Sequence, residues 1–154
     1  MLKNPLNKEK YKIKEVEKKE EYKDTPNSTK TNTKEVASFI SHLFGCTSVI
    51  KIMHLQTNSY AKHNALNEVY NTLTEYQDRI AEVYQGYYDV IIDGYDNYDI
   101  TKYYKMNPVD YIKYVIVYLE SSKELFEEND AIINIIDEFI GDLSQERYKL
   151  SKLQ

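Results

Sequence analysis

The sequence predicts an all-α domain, a bundle of four helices preceded by a lysine-rich arm. Three observations carry this expectation. Apolar residues recur every three or four positions in four separated runs, the spacing that gathers side chains on one face of a helix. Glycine and proline are scarce, at four and three residues, which suits helices better than turn-rich sheets. The 154 residues suffice for one domain with a buried core.

The arm spans residues 1–33 and the bundle residues 34–154. Lys and Glu alternate in KEKYKIKEVEKKEEYK without a wide apolar face, so a flexible or transiently helical segment is expected. DTPNSTKTNT then reads as a linker. Residues 1–34 hold ten of the twenty basic residues and six of the twenty-five acids. That leaves about +4 on the arm and about −9 on the remainder. Lys8, Lys10, Lys12, Lys14, Lys18 and Lys19 are candidate phosphate contacts for DNA, while Glu9, Glu15, Glu17, Glu20 and Glu21 repel the same phosphates. A solvated tail is the reading the composition favours, with a partner-docking segment as the alternative.

Helix one is expected from about Thr33, as N-cap, with Val36, Phe39, Ile40, Leu43, Phe44, Ile50 and Met53 on its apolar face. Gly45 interrupts it, at a cost of roughly 1 kcal/mol unless a neighbour approaches closely. Cys46 is the sole cysteine. It excludes an internal disulfide, suits a reducing compartment and should pack as a small buried residue. His42 has no ligand partners nearby in sequence and reads as a surface or hydrogen-bonded histidine. Helix two should run from Tyr60 to Gln85, with Gly86 as its stop. Residues 87–107 form a long connection. Its Asp93, Asp96 and Asp99 are spaced by three, which argues against an EF-hand calcium loop. Asn107-Pro108 opens helix three, with Ile112, Val115, Ile116, Leu119 and Phe126 inward. Helix four should begin at Asp130 as N-cap and run to about Leu150 through Ile132, Ile136, Phe139, Ile140 and Leu143.

Helix two carries the candidate chemistry. His63, Leu66, Tyr70, Leu73, Gln77, Ile80 and Tyr84 form one stripe, with Asp78 and Glu82 one turn apart beside it and His54 shortly before. Neutral imidazoles and carboxylates are the nitrogen and oxygen donors that suit iron. Fifteen residues separate His63 from Asp78, about 22 Å along a straight helix. The two therefore cannot share one ion within a single chain. The alternative is structural: capping and hydrogen-bonding histidines, and a solvated acidic face.

The stretch from Val49 to Gly86 resembles the second-helix signature of the Dps branch of the ferritin-like proteins. His54, then His63, Leu66 and Tyr70, then Asp78, Ala81 and Glu82 fall at the positions of that pattern. QTNSYAKH, residues 56–63, is similar to shorter Dps-like proteins of bacteriophages. Leu55 stands where the pattern has Trp, Asn67 stands where it has an acid, and the gap between the histidines is short. The resemblance implies a ferritin-like four-helix bundle with one long crossover between helices two and three. That crossover would bear a short helix, packed through Tyr87, Tyr88, Val90, Ile91 and Ile92. It also implies a homo-oligomer with an inter-subunit iron site built from His54, His63, Asp78 and Glu82, ferroxidase chemistry, and DNA protection through basic tails.

No apolar run approaches a membrane span and no signal-peptide core opens the chain. The expectation is therefore no membrane contact and a cytoplasmic address, in a bacterium or a phage-infected one. No nucleophile motif, phosphate loop or cofactor fingerprint points to another enzyme class. Three functions remain: an iron-oxidising Dps-like protein, a metal-free ferritin-like bundle with a structural or interaction role, and a DNA-binding protein acting through its arm.

Overall fold

The structure, a computed structural model, describes residues 32–153. Residues 1–31 of the arm, with the lysines at positions 8, 10, 12, 14, 18 and 19, lie outside the described residues. Four α-helices make up the fold: α1 Thr33–Gln56, α2 Tyr60–Tyr88, α3 Pro108–Ser122 and α4 Asp130–Lys152. Short 3-10 turns occupy Ile100–Lys102 and Lys123–Phe126. No strand occurs among the described residues, and the all-α expectation holds.

Side-chain oxygens set the helix starts. Asn32, Ser59, Asn107 and Asn129 each accept a bond from a main-chain N–H of the following first turn, satisfying donors the helix leaves open. Two caps therefore fall one residue before the expected Thr33 and Asp130. Pro108 takes the first helical position as expected, where its missing N–H costs nothing. Gly86 does not stop α2. The helix runs on to Tyr88 and ends at Asp89, which adopts the left-handed conformation at φ 52°. A glycine tolerates an ordinary helical turn, so its presence alone cannot end a helix whose next residues still pack: Tyr88 sits against Tyr84 with ring centroids 4.7 Å apart.

Cross-helix contacts fix the directions. Thr47 on α1 bonds Gln77 on α2, and His54 meets His63, so this pair is antiparallel. On α4, Glu138 and Asp142 meet Arg79 and Tyr76 of α2, again antiparallel. Along α1, Phe39 and His42 face Tyr118 and Tyr114 of α3, which also runs opposite to α1. Helices α2 and α3 are consequently parallel, and the connection between them must return along the length of the bundle.

That returning segment lies on α1. The hydroxyl of Ser41 accepts the main-chain N–H of Asp96 at 2.8 Å, and the ring of Tyr98 covers Gly45 so closely that a Cβ there would sit 1.7 Å from Tyr98 Cδ1. The crossover carries only the Ile100–Lys102 turn where a short helix was expected. Tyr87 and Tyr88 belong to α2, and Ile91 is exposed while Ile92 is buried. By length and composition α1 could cross a membrane, contrary to the reading from apolar runs, but 61% of its most apolar window is buried inside the bundle. The core holds the expected inward residues of all four helices, except that Phe44 is exposed and His63, Tyr70, Ile116 and Ile140 are half-buried.

The Gly45 contact gives a stability test. Gly45→Ala gains helix propensity, yet it must displace the Tyr98 ring, and overpacking of this kind costs about 1–3 kcal/mol. A net loss in urea denaturation is expected, and the same change made in a Tyr98→Ala background should be neutral or stabilising.

Candidate metal centre

The two histidines of the candidate site meet at the hairpin between α1 and α2. His54 lies in the last turn of α1 and is 6% exposed; His63 lies in the first turns of α2 and is half-buried. Their rings are 3.8 Å apart between centroids and splayed by 32°. Each Nδ1 faces the other residue's main-chain carbonyl, His54 Nδ1 at 3.0 Å from His63 O and His63 Nδ1 at 3.2 Å from His54 O. A carbonyl only accepts, so each Nδ1 is the donor. In the uncharged ring the proton thus stays on Nδ1 and the lone pair on Nε2, the arrangement that orients an imidazole for a metal. The bonds also clasp the short connection Thr57-Asn58-Ser59.

The acids of the expected set lie elsewhere. Asp78 and Glu82 are exposed on the outer side of α2, too far along the helix to join the histidines in one chain. No group of three His, Cys, Asp or Glu side chains that could hold a metal occurs among the described residues. Neighbouring polar residues on the stripe are absorbed by packing: buried Gln77 accepts from Thr47 at 3.0 Å, and Tyr76 donates to Asp142 at 2.7 Å.

A second polar cluster escaped the sequence reading. His42 stacks on Tyr118 at 3.7 Å, meets Tyr98 edge-on at 4.6 Å, and has Nε2 3.3 Å from Tyr114 Oη. Behind it, Cys46 and Tyr111 are fully buried, and the hydroxyls of Tyr98 and Tyr111 are buried without a partner in hydrogen-bond geometry. Burial pushes the Cys46 thiol up to about 12 and lowers His42 to about 4. The thiol is therefore protonated and inert at neutral pH. The partners of His42 come from α3 and the crossover, more than fifty residues away, so no local motif announces the cluster.

The chain belongs to a family of unknown function, DUF5856, whose model matches residues 54–150. The matched region begins at His54 and contains His63, Asp78 and Glu82, whereas His42 and Cys46 precede it. An uncharacterized 14.6 kDa protein of the mobD-ri intergenic region of Enterobacteria phage T4 is 32% identical over 103 residues, which cover 64% of this chain and 73% of that protein. No solved structure matches.

Two outcomes follow from the geometry. Imidazole ¹⁵N shifts at neutral pH should show the Nδ1–H tautomer for the uncharged forms of both His54 and His63; an Nε2–H tautomer at either ring would remove its ligand lone pair. His42 gives a pH dependence. Its folded value lies below the ordinary 6.5, so the unfolded chain binds the proton first, and stability falls as pH drops from about 6.5 to about 4. His42 is only partly shielded from solvent, which limits its share to about 1–2 kcal/mol. Urea denaturation of a His42→Phe variant should show less loss than the parent across that window.

Proposed function

We propose that the chain is a ferritin-like subunit of the Dps type, which binds Fe(II) between copies and promotes its oxidation. The observation that carries this reading is the pair of Nδ1–carbonyl bonds, which leaves the Nε2 atoms of His54 and His63 as two neighbouring nitrogen donors. The helix order, with a single long crossover, supports the ferritin-like assignment. Asp78 and Glu82 of a second copy would supply the oxygen donors that this chain lacks beside its histidines. Iron is the substrate in this reading, giving up an electron to dioxygen or peroxide; the protein's part is to hold it through uncharged nitrogens and carboxylates. DNA protection through the lysines at positions 8, 10, 12, 14, 18 and 19, and a cytoplasmic address in a bacterium or phage-infected cell, belong to the same proposal.

A second reading has its own observation. The stacked imidazoles are already satisfied by main-chain carbonyls and explain themselves as a clasp on the α1–α2 hairpin. The chain is then a metal-free ferritin-like bundle with a structural or interaction role. Similarity to a phage T4 protein supports a phage setting for either reading.

An aerobic Fe(II) titration with iron counted per chain separates the two. Saturable oxidation faster than buffer, lost in both His63→Ala and Asp78→Asn, is expected for the inter-copy site. Neither bound iron nor acceleration would leave the clasp as the sole role of the histidines.

A further inference from the structure

The fold sorts charge by end. Cross-helix contacts place residues 49–74, 99–113 and 144–153 in the half of the bundle that holds the α1–α2 hairpin. In this half α1 carries Lys51, α2 Lys62, the crossover Lys102 and Lys105, and α3 Lys113. The last turns of α4 add Arg147, Lys149 and Lys152. Against these eight stand four acids, Glu68, Asp99, Asp110 and Glu146, and Glu146 is buried and paired with Lys149. The opposite half, residues 32–48, 75–98 and 114–143, has three basic residues and fifteen acids. The formal charges are about +4 and about −12.

The basic end has a second property. Each of its four helix termini exposes an apolar or aromatic side chain: Leu55 in the last turn of α1, Tyr60 at the start of α2, Met106 before α3 and Leu153 after α4, at 69%, 81%, 38% and 62% exposure. Tyr148 is exposed close by. Lys102 and Lys105 lie beside the rings of Tyr103 and Tyr104. The caps at the other end are Asn32, Asp89, Lys123 and Asn129. Tyr87 and Ile91 are exposed there too, at 63% and 79%, but they flank Asp89 and Asp93 in the acidic half, so only the basic end joins exposed apolar side chains to positive charge.

We propose that this end docks on an anionic lipid surface. Lysine ammoniums reach headgroup phosphates while their stems, with Leu55, Tyr60 and Leu153, enter the region just beneath. A nucleic acid would use the lysines and tyrosines but has no place for leucines at the helix termini, so the combination favours a bilayer. The −12 half is repelled by the same surface, which orients the bundle end-on. This departs from the expectation of no membrane contact. It is independent of the iron proposal, since none of its residues is a proposed ligand.

The test is co-sedimentation of the full chain with phosphatidylcholine vesicles, with and without phosphatidylglycerol. Binding is expected only with phosphatidylglycerol and should weaken with salt. Lys102→Glu with Lys105→Glu should reduce partitioning about tenfold or more, and Leu55→Ser with Leu153→Ser severalfold. All four positions are exposed, so the helical circular dichroism should be unchanged. Absence of binding, equal binding to neutral vesicles, or binding unchanged by both double variants would overturn the proposal, the last by assigning the attraction to the arm. Full displacement from the vesicles by a single-stranded oligonucleotide at lower concentration than soluble phosphatidylglycerol headgroup would also overturn it, in favour of nucleic acid.

Discussion

The packing of Tyr98 onto Gly45 is the constraint on which the rest of the arrangement depends. Helices α2 and α3 run parallel, so the chain between them must travel the length of the bundle, and α1 and α3 touch each other only sparsely. A segment lying in that seam needs a place to seat its side chains against α1. Gly45 provides it, because only a residue without Cβ lets an aromatic ring rest on the helix backbone. The tyrosines at 98, 103, 111 and 114 then stack into one cluster with ring separations of 5.2 to 5.9 Å, closing the side of the bundle that the helices leave open.

The same cluster accounts for the polar groups buried in it. His42 and Cys46 would be poor choices in a purely aliphatic core. Here the imidazole has rings on two sides and a phenol at its Nε2, and the thiol faces phenols. Burial favours the uncharged form of each, so the cluster keeps its packing at neutral pH. The histidine pair at the hairpin differs in kind. Its bonds are to main chain, close together in sequence, and they fix ring orientation whatever the ring later binds.

Much of the fold was legible in the sequence because it rests on local periodicity. The apolar faces of α1, α3 and α4 were readable from spacing and the start of α3 at Asn107-Pro108 from residue type, whereas Gly45 left a propensity cost and a close neighbour equally open until Tyr98 was seen on it. What failed was also local in appearance but tertiary in cause. Gly86 looked like a stop, yet Tyr88 packs against Tyr84 and carries α2 past it. The resemblance to Dps proteins implied a short helix in the crossover, yet its residues are spent on contacts with α1, and only one 3-10 turn forms. For the site, the residue types and the distance between His63 and Asp78 were available from the sequence, whereas the reciprocal carbonyl bonds were not.

By itself the sequence determined four amphipathic helices, their approximate limits, and a histidine pair separated along α2 from an acid pair. These follow from chemistry within one or two helical turns, where the 3.6-residue repeat relates position to face. Only the tertiary structure decided which nitrogen of each histidine is bonded, what surrounds His42, and that the body's charge divides between two ends. Each depends on residues brought together from distant helices, and their relative heights are set by helix direction and packing, which no local repeat encodes.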